Sequence, residues 1–339
     1  MRHWILFISL FILLPSCRKG EAPSPGVSDE PIENPIPLRF SAGVSTSVSS
    51  EESGRAPITG THLPISSEVG VYGILADVSR PDEYTFRQVM SGDTYFQDYL
   101  ENAHYVVSTA EGAMDQEFIA QYPTNDSGYN GLTLYAYHPY TASVVKDNFN
   151  KDYLIATTLE SEYMERTPDY LYTKQVVAPT PNQDGAVVKL TFEHALARLR
   201  FVFKSTNPEA AVKVGQIVVD ANCSKKGTMS IQTGEAVPER KTSTLYTYNL
   251  NQYITPEGLV AEYLLYPEST INTIQCQIQV GEGTMSVYDI NPSGIKLERG
   301  KYMTVNVTFS PKTATISNDI TGWESQGEAD VSIDEKTEG

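Results

Sequence analysis

What most constrains this chain is the period of its apolar residues. Ile274, Cys276, Ile278 and Val280 alternate with Gln275, Gln277 and Gln279, and Met303, Val305, Val307 and Phe309 alternate with Thr304, Asn306 and Thr308. Successive side chains of a strand point to opposite faces, so period two over these lengths predicts strands with one face on a core and the other toward solvent. Leu132 and Leu134 alternate with Thr133 and Tyr135 in the same way. Tyr, Thr and Val are frequent, Gly and Pro punctuate short runs, and no stretch sustains a helical period for long. The expected class is all-β.

The run from Val187 to Lys204 refines this. Val188, Leu190 and Phe192 share one parity, whereas Ala197, Leu199, Phe201 and Phe203 share the other. A strand that switches parity needs a bulge or a short break, here around Glu193-His194-Ala195; a helix over Glu193 to Arg200 is the alternative. Gly281-Glu282-Gly283 lies between two alternating runs and reads as a hairpin turn. The polar linker from Pro179 to Gly185 is a domain boundary candidate. Two β-sandwich-like domains are therefore expected, residues 38–185 and 186–325.

The ends have a different character. Residues 1–16 read as an export signal: Arg2 is followed by an apolar run from Trp4 to Leu14, too short to span a bilayer. Leu14-Pro15-Ser16-Cys17 closes it in the manner of a lipobox, which makes Cys17 the lipidated first residue of the mature chain. Residues 17–37 carry Pro23, Pro25, Pro31, Pro35 and Pro37 among Ser, Glu and Gly, too polar to fold, and read as a tether. Residues 326–339 read as an acidic tail. Of 25 basic and 42 acidic residues, only Arg2 is lost with the signal, leaving 24 against 42 and a net charge of −18. That balance argues against nucleic acid and against an electrostatic membrane patch, both of which need clustered Lys and Arg. Cys223 and Cys276 are two free thiols or one disulfide; two cysteines do not make a disulfide framework.

Chemistry is sparse. The histidines, His3, His62, His104, His138 and His194, show no metal-ligand spacing, and no nucleophile elbow, phosphate loop or dinucleotide fingerprint is present. No enzyme, metal or cofactor is expected. Tyr135, Tyr137 and Tyr140, and Tyr163, Tyr170 and Tyr172, lie close in sequence. They are either strand and core residues or an aromatic platform for glycans.

Several segments together resemble the fimbrillin family of lipoprotein pilins from Bacteroidales-type bacteria. They are Leu38-Arg-Phe-Ser-Ala42, Ser53-Gly-Arg-Ala56, Glu68-Val-Gly-Val-Tyr-Gly73, Leu134-Tyr-Ala-Tyr-His-Pro139, Asp169-Tyr-Leu-Tyr172 and the run from Val188 to Leu199. Gly227 to Gly234, Arg299-Gly-Lys-Tyr302 and Ile320-Thr-Gly-Trp323 complete the set. The resemblance implies two transthyretin-like β-sandwich domains, display on the outer membrane and a place in a fimbrium. It also implies a trypsin-like processing protease and head-to-tail pairing with other pilus subunits by strand exchange. On that pattern Leu38, Phe40, Ala42 and Val44, with Val48 in the same parity, form the displaced strand within residues 38–48. Arg55 is then the processing site, with Arg39 and Arg80 as alternatives. A surface lipoprotein that binds glycans or host proteins without polymerising is the competing expectation.

Overall fold

The computed structural model describes residues 36–45, 58, 60–92, 98–116, 120–122, 129–181, 186–206, 211–309, 314–319 and 329–332. The signal, Cys17, nearly all of the tether, Val48 and Arg55 lie outside the described residues. In the first half of the chain the strands are β1 (Arg39–Val44), β2 (Glu68–Ala76), β3 (Asp98–Val107), β4 (Ala113–Asp115), β5 (Gly131–His138), β6 (Val144–Asp147), β7 (Asp152–Thr158), β8 (Leu171–Thr173) and β9 (Val176–Pro179). Next come β10 (Val187–His194), β11 (Ala197–Ser205), β12 (Val212–Asn222), β13 (Lys226–Ser230), β14 (Ala236–Pro238) and β15 (Ser243–Tyr253). The last are β16 (Leu259–Leu265), β17 (Ile271–Val280), β18 (Ser286–Ile290), β19 (Tyr302–Phe309), β20 (Ala314–Asp319) and β21 (Ala329–Ser332). Helix among the described residues is confined to α1 (Phe86–Met90) and 3-10 turns at Pro81–Glu83 and Met164–Arg166. The protein is all-β, with its sheets stacked in a sandwich-like way. No helix among the described residues is long and apolar enough to cross a membrane.

The largest sheet runs β2-β3-β4-β1-β10-β8-β5-β9, and β2 also pairs with β5. Seven strands thus close into a ring, with β9 attached outside it along β5. The ring encloses one apolar cluster, in which Leu38, Phe40, Ala42, Val69, Val71, Leu132, Leu134, Leu190 and Phe192 meet. A second, larger cluster is built from β7, β11, β12, β16, β17 and β19 together with the outer face of the ring at Tyr72, Ile74, Tyr135 and Tyr137.

That arrangement corrects one expectation. β5 has no solvent-facing side: Thr133 is 0 % exposed and Tyr135 1 %, because the ring interior takes one face and the second cluster takes the other. The Phe86 ring of α1 sits 4.5 Å from Tyr135 and 4.8 Å from Tyr153 of β7, so the outer face is filled by aromatic contacts. In β17 and β19 the apolar parity faces the core as expected, although Thr304 on the opposite parity of β19 is buried too. Ile274, Cys276 and Ile278 are buried, as are Met303, Val305, Val307 and Phe309. Val280, at the end of its strand, is exposed.

The parity switch after Phe192 is a change of sheet. β10 pairs with β1 and β8, Ala195 and Leu196 form the break, and β11 continues between β16 and β19. The Ala195 N–H donates to the Tyr170 carbonyl (2.8 Å), and the Leu196 carbonyl accepts from Gly300 (3.0 Å). No helix forms there. The first strand after the polar linker, β10, therefore joins the ring, and the sheets change at Ala195–Leu196. A further sheet, β14-β13-β7-β6, pairs strands from both halves of the chain. Gly281, with φ +60°, turns β17 into β18 as expected of a hairpin. Within the stretch read as an acidic tail, β21 pairs antiparallel with β20. Cys223 and Cys276 are both free and buried.

Phe201 is fully buried between β16 and β19, so Phe201→Ala is expected to lower unfolding free energy by about 3–5 kcal/mol. The exposed Val287→Ala should stay within about 0.5 kcal/mol of the parent. Chemical denaturation of both variants checks the pair.

Candidate functional site: the seat of the first strand

β1 is the strand that completes the ring. Its alternation places Leu38, Phe40, Ala42 and Val44 inward, with 2, 2, 0 and 6 % exposure, while Arg39 faces solvent. These are the four residues expected of a displaceable strand, and all lie in the ring's apolar cluster. The Phe40 ring meets Tyr105 edge to face, with centroids 5.0 Å apart. Burial pushes the hydroxyl pKa values of Tyr105 and Tyr122 upward. The seat is therefore apolar inside and shielded from water.

Both edges of β1 are bonded. On one side it runs parallel to β10, from Arg39 opposite Val187 to Val44 opposite Phe192. Ser45 extends this by donating to the Phe192 carbonyl (2.8 Å). On the other side Phe40 and Ser41 face Met114 and Ala113 of β4 in antiparallel register. Three further main-chain donors reach loops: Leu38 to the Ala120 carbonyl (2.7 Å), Ala42 to Gly112 (2.7 Å) and Val44 to Thr61 (2.8 Å). Gly43 also bridges to His62. A strand taken from this seat leaves unpaired N–H and C=O groups along two edges and an open apolar slot.

Sequence reasoning missed the loop residues that wall the seat, because their contacts span large separations. Gly112 is the clearest. Its φ of +83° suits glycine, and a Cβ there would lie 2.3 Å from the Ala42 carbonyl oxygen. The turn in which the Gly112 N–H donates to Thr109 (3.0 Å) was a local signal for that backbone, though not for its neighbour.

Of the alternative cut positions, Arg39 is held in the β1 ladder. Arg80 is ion-paired with Asp77 (3.2 Å) and Glu83 (2.9 Å) and is followed by Pro81. Cys17 and Arg55 lie outside the described residues. Tyr135, Tyr137, Tyr170 and Tyr172 are buried, so no platform for glycans is built from them. Tyr140 stacks on His104 at 4.2 Å, and Tyr163 is exposed beside the Arg166 guanidinium. Among the described residues no group of three or more His, Cys, Asp or Glu could hold a metal ion.

Fold and seat together define an all-β protein in which β1, the first strand among the described residues, is an integral stave of a closed sheet. A family profile described as fimbrillin-like matches residues 59–323, and the chain belongs to that family. No curated protein sequence matches it. Among solved structures it is similar to a candidate cell adhesion protein from Bacteroides uniformis, with 16 % identity, TM-score 0.56, and coverage of 87 % of this chain and 100 % of that one. It is also similar to a candidate cell adhesion protein from Bacteroides ovatus, with 18 % identity, TM-score 0.56, and coverage of 89 % and 100 %. At these identities the likeness is one of fold.

Gly112→Ala is expected to loosen β1 by about 1–3 kcal/mol, through a left-handed backbone and a clash with Ala42. Hydrogen exchange at the Ala42 and Val44 amides should quicken accordingly while exchange in β17 is unchanged.

Proposed function

We propose that this chain is a structural, non-enzymatic subunit of a surface fimbrium. It is exported as a lipoprotein, anchored in the outer membrane through diacylglycerol on Cys17 and cut after Arg55 by a trypsin-like protease. Neighbouring subunits then assemble head-to-tail by donor-strand exchange. The observation that carries this reading is the position of β1: an N-terminal strand, bonded on both edges, whose apolar side chains fill a slot in the ring. Leu38, Phe40, Ala42 and Val44 are the residues that leave, and a strand from a neighbouring subunit takes their pockets. Strand addition of this kind satisfies main-chain groups and side-chain pockets together. Because the contact is heterologous, repetition gives a filament rather than a closed dimer.

Family membership supports the fimbrial part of the reading. The two solved structures named above are described as candidate cell adhesion proteins, which accords with a fibre that supports adhesion. The tandem division into residues 38–185 and 186–325 belongs to the same proposal. β10 then acts as the arm by which the second part completes the ring of the first, and the β7–β13 pairing fastens them. The burial of Tyr135 and Tyr137 weighs against the platform of Tyr135, Tyr137 and Tyr140 on which a non-polymerising glycan binder was expected to rely.

Low-dose trypsin on the purified protein tests the sequence of events. One early cut between Arg55 and Ala56, followed by a ladder of polymers on unheated gels, is the expected outcome, and Arg55→Ala should abolish both. A cut that leaves only inert monomer, or a ladder that persists in Arg55→Ala, would overturn the proposal. Metabolic labelling with palmitate, lost in Cys17→Ala, checks the anchor.

A further inference from the structure

Asp169 and His194 form a buried pair that the seat itself does not require. Their side chains are 2 % and 3 % exposed, and His194 Nδ1 lies 2.9 Å from Asp169 Oδ2. Asp169 stands two residues before β8, and His194 ends β10, the parallel neighbour of β1. The Asp169 carboxyl also accepts a hydrogen bond from the main-chain N–H of Ile58, at 2.8 Å across 111 residues of sequence. Ile58 lies three residues beyond Arg55 and three before Thr61. Thr61 supplies the carbonyl that receives the Val44 N–H, and His62 bridges to Gly43. A buried carboxyl pinned by a buried imidazole thus holds a main-chain amide between the proposed cut and one wall of the seat.

In the uncut chain this segment is tied at both ends, to β1 before it and to β2 after it. After a cut at Arg55 it is tied at one end only, and new chain ends fray unless something holds them. We propose that Asp169 and His194 form an anchor that holds Ile58, and with it Thr61 and His62, against the body once the first strand has been cut away. The wall then stays in place for the incoming strand. This inference rests on the strand-displacement reading above and assigns positioning residues to it.

The test uses the full mature chain, intact and trypsin-cut. Ile58→Pro removes the single N–H donor without touching the buried pair, and Ile58→Val keeps it. Asp169→Asn is a third variant that keeps the size of the side chain. Hydrogen exchange at Thr61, His62 and Leu63 should rise roughly tenfold or more in cut Ile58→Pro, the scale of one lost charge-assisted hydrogen bond, by less in cut Asp169→Asn, whose amide oxygen still accepts but carries no charge, and far less in the intact proteins. Ile58→Val should match the parent in both states. A synthetic peptide of residues 36–45, added to cut protein stripped of its own first strand, should dissociate faster from Ile58→Pro by a similar factor. Equal exchange in cut parent and cut Ile58→Pro would overturn the anchor even if the strand leaves as proposed. Failure of the parent to release its first strand would overturn strand displacement, while the exchange comparison still decides the anchor.

Discussion

The structure depends on one strand being bonded on both edges. β1 joins β4 to β10, and without it the ring β2-β3-β4-β1-β10-β8-β5 is an open sheet with two free edges. Its side chains are not peripheral either, since Leu38, Phe40, Ala42 and Val44 all sit inside the enclosed cluster. Ladder and core are therefore lost or kept together. Each ladder bond contributes only about 0.5–1.5 kcal/mol net, but an orphaned buried donor or acceptor costs its full desolvation. An empty seat is thus far less favourable than a filled one, whichever strand fills it.

The second organising feature is the wall that the ring shares with the rest of the body. β2 and β5 carry apolar side chains on both faces, one set inward and one toward the larger cluster. Opening the ring at β1 leaves that wall covered from outside by Tyr153, Phe86 and their neighbours. Strand loss at one place need not propagate, because β2 and β5 stay paired with each other and backed by a second core. β10, the other neighbour of β1, is fixed through Ala195 and Leu196 to Tyr170 and Gly300. On the proposed reading, these two backings are what hold the ring in shape while the slot is vacant.

Much of this was legible in the residues, and the exceptions share a physical cause. Alternation marked β17 and β19 and the inward set of β1, because period two is a local property of the chain. The parity switch at Phe192 to Ala197 marked a break, but local pattern does not say that a strand leaves one sheet for another. β5 misled for a related reason. Thr133, Tyr135 and Tyr137 look like the outer face of a half-buried strand, yet a second cluster covers them. Tyr tolerates either setting, so the residue type did not decide. The roles of Gly112, Thr61 and Asp169 were not legible because each acts on a segment remote in sequence, 17 residues away for Thr61 and Val44 and 111 for Asp169 and Ile58. Their roles exist only once the ring is closed.

In the proposed exchange, the covalent link between β1 and the rest of the chain is what gives a cut its effect. There β1 competes for its slot as part of the same chain while that chain is continuous, at an effective concentration on the order of millimolar. A strand from another subunit at ordinary concentration cannot match that advantage. On the proposed reading, the cut removes the covalent link, while the described bonds and buried side chains of β1 are still to be displaced. Displacement then becomes an exchange between two separate strands, decided by how well each fills the pockets of Leu38, Phe40, Ala42 and Val44. On the proposed reading, a cut at Arg55 releases β1 and leaves the anchored Ile58 with the body, whereas a break beyond Thr61 would also release part of the wall.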